Sequence, residues 1–352
     1  MMGRRNRNPR SDYLQYIGVI VLSSIVSRLP WWVLRGLARV LGRVIYALGG
    51  RHRKRVLLQM KLALGHRLDE AGLERLALSS FQHLMMLAFE TLCMHRISRR
   101  TSAQFATSDE VQEFATRLEA PCIAVTGHFG GFQHFPSLAA MHGCKMISLQ
   151  RPLDNPYLDT FINRQRSTGG AELLSKFDSL LNLRRYAREK YVIGMVMDQN
   201  GGKRGIFADF LGFPASTWTS AAELHYVLKL PLHVVMVHRV GLGPRVRVTY
   251  RLSVPYDPRK SEQYRRDPEA REQLTREIVE QMNLAMGEAI LENPEQWLWQ
   301  HRRWKERPKG ETIPMVDGVP CPWLQDAAKV IAPMAGGASD HAEVLAEPGN
   351  RG

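Results

Sequence analysis

From Pro121 onward, short apolar runs alternate with longer segments of mixed polarity, and this alternation narrows the fold more than any other feature of the chain. Runs at 122–126, 145–149, 171–174, 191–197, 232–238 and 245–250 read as strands, and stretches at 132–141, 156–166, 176–188, 217–228 and 266–291 read as helices. Such an order predicts an α/β fold with a mixed, largely parallel central sheet covered by helices. Ahead of it, residues 51–64 and 69–97 read as helices, the second with an apolar side of Leu73, Leu76, Phe81, Leu84 and Ala88. A further helix is expected to open at Asp109 and Glu110, capped by Ser108, and to run to about Leu118.

Residues 16–26 are strongly apolar, but Arg28 and Pro30 interrupt them, and a membrane crossing needs about 20 apolar residues. Arg4, Arg5, Arg7 and Arg10 would keep the N-terminus on the cytoplasmic side, and no cleavage site for a signal peptide follows. Arg28, Arg35, Arg39 and Arg43 recur at helical spacing beside Trp31, Leu34, Leu37, Val40, Leu41 and Val44. A helix docked on the protein's own core with its arginines in water fits this pattern. A helix lying in a membrane interface fits it too, and Arg51, Arg53, Lys54 and Arg55 would add attraction to anionic lipid. The reading adopted divides the chain into a basic, membrane-associated helical region over 1–50, an α/β domain with its leading helices over 51–305, and an irregular or disordered tail over 306–352 with a short helix near 324–331.

Forty-eight Lys and Arg against 34 Asp and Glu give a formal charge of +14. The excess favours acidic partners: anionic lipid, an acidic carrier protein or nucleic acid, but no base-reading module is present and nucleic acid is not expected. Cysteines 93, 122, 144 and 321 have no metal-ligand spacing and read as thiols. GxSxG, HExxH, GxGxxG and P-loop patterns are all absent, so serine-hydrolase chemistry, zinc, NAD and ATP are not implied.

What stands out instead is Val125-Thr-Gly-His128-Phe-Gly-Gly-Phe-Gln133-His134, a histidine where a buried strand ends. Open α/β sheets gather reactive groups at that edge. A lone histidine can act as general base when the nucleophile belongs to the substrate, here an alcohol attacking an acyl carbonyl. Arg151, Arg164 and Arg166 supply guanidiniums suited to a phosphorylated acceptor or the phosphopantetheine of a donor; the plainer reading is surface charge paired with Asp154 and Asp159. Asn155 is a candidate binding residue or, before Pro156, a helix cap.

His128-Phe-Gly-Gly-Phe-Gln133, Arg151-Pro-Leu-Asp-Asn155-Pro, Asp159, Arg164, Asp198-Gln199, Phe210-Leu-Gly-Phe-Pro214 and Pro294-Glu-Gln-Trp-Leu-Trp-Gln-His-Arg-Arg-Trp304 occur in that order. Together they resemble the bacterial lipid A biosynthesis (lauroyl/myristoyl) acyltransferases of the lysophospholipid acyltransferase-like superfamily, over roughly residues 12–305. The resemblance implies an enzyme at the cytoplasmic face of the inner membrane. It implies transfer of a fatty acyl group from acyl carrier protein, or from coenzyme A, to a hydroxyl of a lipid A precursor, with no bound cofactor or metal. His128 then becomes the general base and Arg151, Asn155, Arg164 and Arg166 the substrate-binding candidates.

One position departs from the family pattern. The family places a carboxylate five residues after the histidine, and this chain has Gln133. An amide oxygen can fix the imidazole tautomer but cannot neutralise an imidazolium. Three accounts stay open. Asp198 supplies the charge from its own strand end, Gln133 suffices alone, or the chain binds lipid without catalysis. Glu172 and Glu223 are further acidic candidates, and His134 is expected on a helix face.

Overall fold

The computed structural model describes residues 8–96, 105–106, 116–167, 169–175 and 180–325. Its centre is a six-stranded sheet of β1 (Cys122–Thr126), β2 (Met146–Gln150), β3 (Glu172–Ser175), β4 (Val192–Val196), β7 (Leu232–Arg239) and β8 (Val246–Val254), in the order β3-β2-β4-β1-β7-β8. Every pairing is parallel except β7 with β8. The sheet is thus mixed and largely parallel, as the alternation predicts. β1 and β4 are buried along almost their whole length, which suits inner parallel strands covered on both faces.

Connecting helices follow local signals. α5 (Phe135–Met141) covers one face of the sheet, while α7 (Leu180–Arg188) and α8 (Ser220–Leu228) cover the other. α6 (Pro156–Arg166) starts where Asn155 Oδ1 accepts the Tyr157 and Leu158 N–H groups and Pro156 presets the first turn. Asp257-Pro258 and Asp267-Pro268 open α9 (Pro258–Arg266) and α10 (Pro268–Glu292) in the same manner. The expected helix at 109–118 lies, apart from its last three residues, outside the described residues.

Two elements differ from the sequence reading. α9 is an additional helix, and the stretch after Asp198, to which the sequence reading assigns no strand, carries a hairpin of β5 (Ile206–Phe210) and β6 (Phe213–Thr217). Its two-residue turn has Leu211 at φ 54° and Gly212 at φ 84°, both left-handed as a tight twisted hairpin requires. The helix expected from 217 therefore begins only at Ser220.

At the N-terminus, α1 (Pro9–Val26) and α2 (Trp31–Leu48) precede α3 (Gly50–Leu64) and α4 (Glu70–Leu92). α2 lays Leu34, Ala38 and Gly42 against α4, so closely that a Cβ on residue 42 would meet the Gln82 backbone at 2.7 Å. Arg35, Arg39 and Arg43 stay exposed beside Trp32, Val40, Val44 and Leu48, which are 69, 56, 44 and 81% exposed. Arg28 is not part of that stripe: it sits in the turn after α1, where Nη1 donates to Ser24 O. Among the described residues no helix is long and apolar enough to cross a membrane. Past residue 305 the chain carries a small β9–β10 ladder (Met315–Val316 with Val319–Pro320), and Val319 and Cys321 are fully buried. Residues 306–325 are therefore packed against the domain; of the helix expected near 324–331, residues 326–331 lie outside the described residues.

Candidate active site

At the C-terminal end of β1 the chain turns through Gly127-His128-Phe129-Gly130. Glycine at 127 suits the close approach of Asp198, which arrives just after β4: a Cβ there would stand a tight 3.2 Å from its Oδ2. Gly130 has φ +54°, and a Cβ on it would lie 2.1 Å from Val237 O. A Cβ on Gly131 would meet Val246 at 2.3 Å. These glycines serve close packing of the turn on β7 and β8 rather than approach of a substrate.

Asp198 grips the histidine twice. Oδ2 accepts the His128 backbone N–H at 2.7 Å, and Oδ1 lies 2.7 Å from Nδ1 of the ring. Trp297 Nε1 donates to Oδ2 at 2.8 Å. Asp198 is 2% exposed. Burial alone would push its carboxyl up, but attraction to His128 and the hydrogen bonds from His128 and Trp297 outweigh it and hold the group at about 2. An ionised carboxylate only accepts, so the ring proton sits on Nδ1 and the Nε2 lone pair is left for other work. Gln199 Nε2 stands 3.4 Å from that atom. Behind the turn, His128 O accepts Leu298 N–H at 3.1 Å and Gln296 O accepts Gly130 N–H at 3.0 Å, so the 294–304 segment closes the site from beneath.

His128, a quarter exposed, opens into a cleft of about 830 Å³. Phe135 and Pro136 of α5 line it, and so do Leu183 of α7 and Leu224 of α8. Since these helices cover opposite faces of the sheet, the cleft reaches round the sheet's edge, with one side (the α5 lobe) against Phe135 and Pro136 and another against Leu183 and Leu224. The floor of the α5 lobe is made of small residues. Ala124, Gly194 and Ser148 are register partners across β1, β4 and β2 and therefore share one face.

The predicted residues are placed unequally. Arg151 lines the cleft, its side chain 66% exposed and 3.8 Å from Asp154. Arg166 lines it too, half-buried, with Nη1 donating to Gln150 Oε1 at 2.8 Å; burial lowers its pKa against the pull of Asp159. Arg164, two positions earlier on α6, lies on the exposed side of that helix and does not line the cleft, because two residues are more than half a helical turn. Asn155 is not among the residues that line the cleft. It is buried, its Oδ1 caps α6, and its Nδ2 donates to Asp12 O at 2.9 Å, which ties α6 to α1.

Gln133 lines the cleft, but its Oε1 is buried with no hydrogen-bond partner among the described residues. It does not orient His128, whose Nδ1 is occupied by Asp198. His134 lies in the turn before α5, buried against Phe105, and burial lowers its pKa. Glu223 lines the cleft, while Glu172 accepts from Tyr191 at the sheet edge. Sequence reasoning quoted Trp297 and Gln199 without giving either a role. Gln199 could have been found as the neighbour of Asp198, but nothing local marks Trp297 as a carboxylate donor.

A histidine–carboxylate pair facing an apolar cleft with guanidiniums on its rim is suited to deprotonating an alcohol carried by an amphiphile. A family model described as bacterial lipid A biosynthesis acyltransferase matches residues 4–306. The chain belongs to that family. It is accordingly an acyltransferase, of a family consistent with membrane association. No curated protein matches the chain significantly. Among the described residues no group of three or more His, Cys, Asp or Glu is arranged to hold a metal ion.

Proposed function

We propose that this acyltransferase moves a fatty acyl group from the thioester of acyl carrier protein, or of coenzyme A, to a hydroxyl of a phosphorylated glycolipid resembling a lipid A precursor. The observation that carries this is the His128–Asp198 pair opening into an apolar cleft with Arg151 and Arg166 on it. Nε2 of His128 takes the acceptor hydroxyl's proton as the oxygen attacks the thioester carbonyl. The carbon–oxygen bond forms, the tetrahedral intermediate collapses, and the carbon–sulfur bond breaks. The imidazolium then returns its proton to the departing thiolate. Asp198 stays ionised throughout and stabilises the imidazolium. One lobe suits the donor chain and the other the acceptor's apolar part, while Arg151 and Arg166 suit its phosphate.

The reaction is assigned to the cytoplasmic face of the inner membrane. The exposed apolar strip of α2, flanked by Arg35, Arg39 and Arg43, has the make-up of an interfacial helix. Mass spectrometry of lipids from cells with and without the protein tests the assignment: a species heavier by one esterified fatty acid, lost in His128→Ala, is expected. Unchanged lipids, or full turnover by folded His128→Ala, would reject it.

A further inference from the structure

Arg303 is fully buried, yet every group it bonds is neutral. Its guanidinium donates to Ser216 O at 2.5 Å and Thr217 Oγ1 at 2.7 Å, with longer contacts of 3.4 Å to Gln199 O and Asn283 Oδ1. It also covers the Phe210 ring at 4.6 Å. A buried cation held only by neutral partners carries a large desolvation cost. Burial lowers its pKa to about 10, and the charge opposing that fall is Asp198. Asp198 presents the complementary problem, since its contacts are a histidine and an indole, and among the described residues no permanent cation bonds it. The two charges do not touch but lie on one short stretch of chain: Arg303 Nη1 stands 3.4 Å from the carbonyl of Gln199, next in chain to Asp198.

Resting on the His128–Asp198 reading above, we propose that Arg303 is the standing counter-ion of Asp198, a positioning residue that lets His128 rest as a neutral base beside an ionised carboxylate. Without it, the imidazolium would be the only countercharge for a buried anion, and the resting site would draw a proton onto the base it needs free. With it, that proton is taken up only as the alcohol gives it up.

Other charged or titratable groups stand around the ring but do not bond the 198–199 segment. His301 is neutral, its pKa pushed down by burial to about 4, and its Nε2 accepts the Asn200 N–H. His83 and Arg239 line a small void behind His128, and Arg239 is paired with buried Glu90. Arg151, Arg166, Arg204 and Glu223 lie across the open cleft.

The test uses the full chain in detergent micelles with an acyl thioester and a lipid acceptor extract. Arg303→Gln removes the charge but keeps amide donors for Ser216 O and Thr217 Oγ1, whereas Arg303→Lys keeps the charge. Arg303→Gln is expected to move the acid limb of kcat/KM upward by about one pH unit, and Arg303→Lys to leave it in place. A folded Arg303→Gln with an unmoved acid limb overturns the proposal, whatever its rate. A second measurement needs no turnover. In the Asp198→Asn background, adding Arg303→Gln should raise the thermal midpoint, because a cation without its anion is removed. A fall there, as a purely structural clamp would give, also overturns the proposal. Absence of acyl transfer by the wild type with that thermal coupling intact would reject the functional reading and leave the Arg303–Asp198 coupling standing.

Discussion

The indole N–H of Trp297 donates to the same Asp198 oxygen that receives the backbone N–H of His128, so the chain's closing segment holds the carboxylate that holds the imidazole. Trp297→Phe keeps much of the ring packing against Phe210 and Trp299 but leaves the buried oxygen one donor short. Losing a hydrogen bond to a charged group costs about 1.5–3 kcal/mol. The urea midpoint should fall accordingly and kcat should drop roughly tenfold or more with KM little changed. An unaltered kcat would make the segment a scaffold only.

Asp198→Asn should be far more damaging. In the serine-protease triad the corresponding change lowers turnover by about 10⁴, chiefly through the wrong tautomer, and the same donor–acceptor mismatch with Nδ1 arises here. A loss on the order of 10³–10⁴ in kcat is expected. Gln133→Glu should not rescue it, since residue 133 makes no contact with the ring nitrogen. Restoration of more than a tenth of the lost rate in the double variant would show that the family's usual carboxylate position still operates.

The outcome at Gln133 marks where sequence stopped being legible. Strand positions could be read because inner parallel strands must be apolar, and His128 could be read because it ends one of them. Asp198 was legible as one of three ways to supply the charge, from a neighbouring strand end; what sequence does not show is its bond to Nδ1, which needs the close approach of a side chain just past β4 to Gly127 at the end of β1. Asn155 stayed open between ligand and cap because both uses need the same amide, and the structure shows the cap. Arg164 was grouped with Arg166 because linear proximity hides opposite helix faces. The hairpin was missed because its left-handed turn is Leu-Gly, with leucine where asparagine or aspartate is the usual signal.

Acid should weaken the fold well before the carboxylates titrate. Burial holds His83 at about 3, with Arg239 adding to the effect, and holds His301 at about 4. Both lie below the ordinary histidine value of about 6.5. The unfolded chain therefore binds protons that the folded chain refuses, so stability is fully present above about pH 6.5 and declines as pH falls toward the folded values. Urea midpoints measured from pH 8 to 4 should fall steadily below about 6.5, and less steeply in His301→Gln. A flat profile across that range would contradict the assignment.

The exposed strip of α2 predicts a separable defect. Replacing Val40 and Val44 with glutamate puts charge on an exposed apolar face without touching Leu34, Ala38 or Gly42, which pack on α4. Co-sedimentation with vesicles containing anionic lipid should fall about tenfold or more, while the thermal midpoint stays within a degree or two. Equal vesicle binding by the variant would reassign that face.

Chain-length preference should be set by Gly194. It lies between Ala124 and Ser148 on the floor of the α5 lobe, and a Cβ there would come 3.2 Å from Cε of Met146, the far end of a flexible side chain. Alanine is therefore accommodated by a small shift of that methionine. Leucine projects beyond it into the lobe, where an extended hydrocarbon would otherwise cross the strands. Each methylene excluded from an apolar site forfeits about 0.8 kcal/mol, so losing room for three or four methylenes amounts to about 2–3 kcal/mol. Gly194→Leu should thus lower kcat/KM for the longest accepted thioester by roughly 30- to 200-fold relative to one four carbons shorter, and Gly194→Ala should shift the ratio only slightly. Competition between two thioesters of different length in one reaction, read by mass spectrometry of the product, measures that ratio directly. An unchanged ratio in a folded Gly194→Leu variant would move the donor chain to the other lobe, against Leu183 and Leu224.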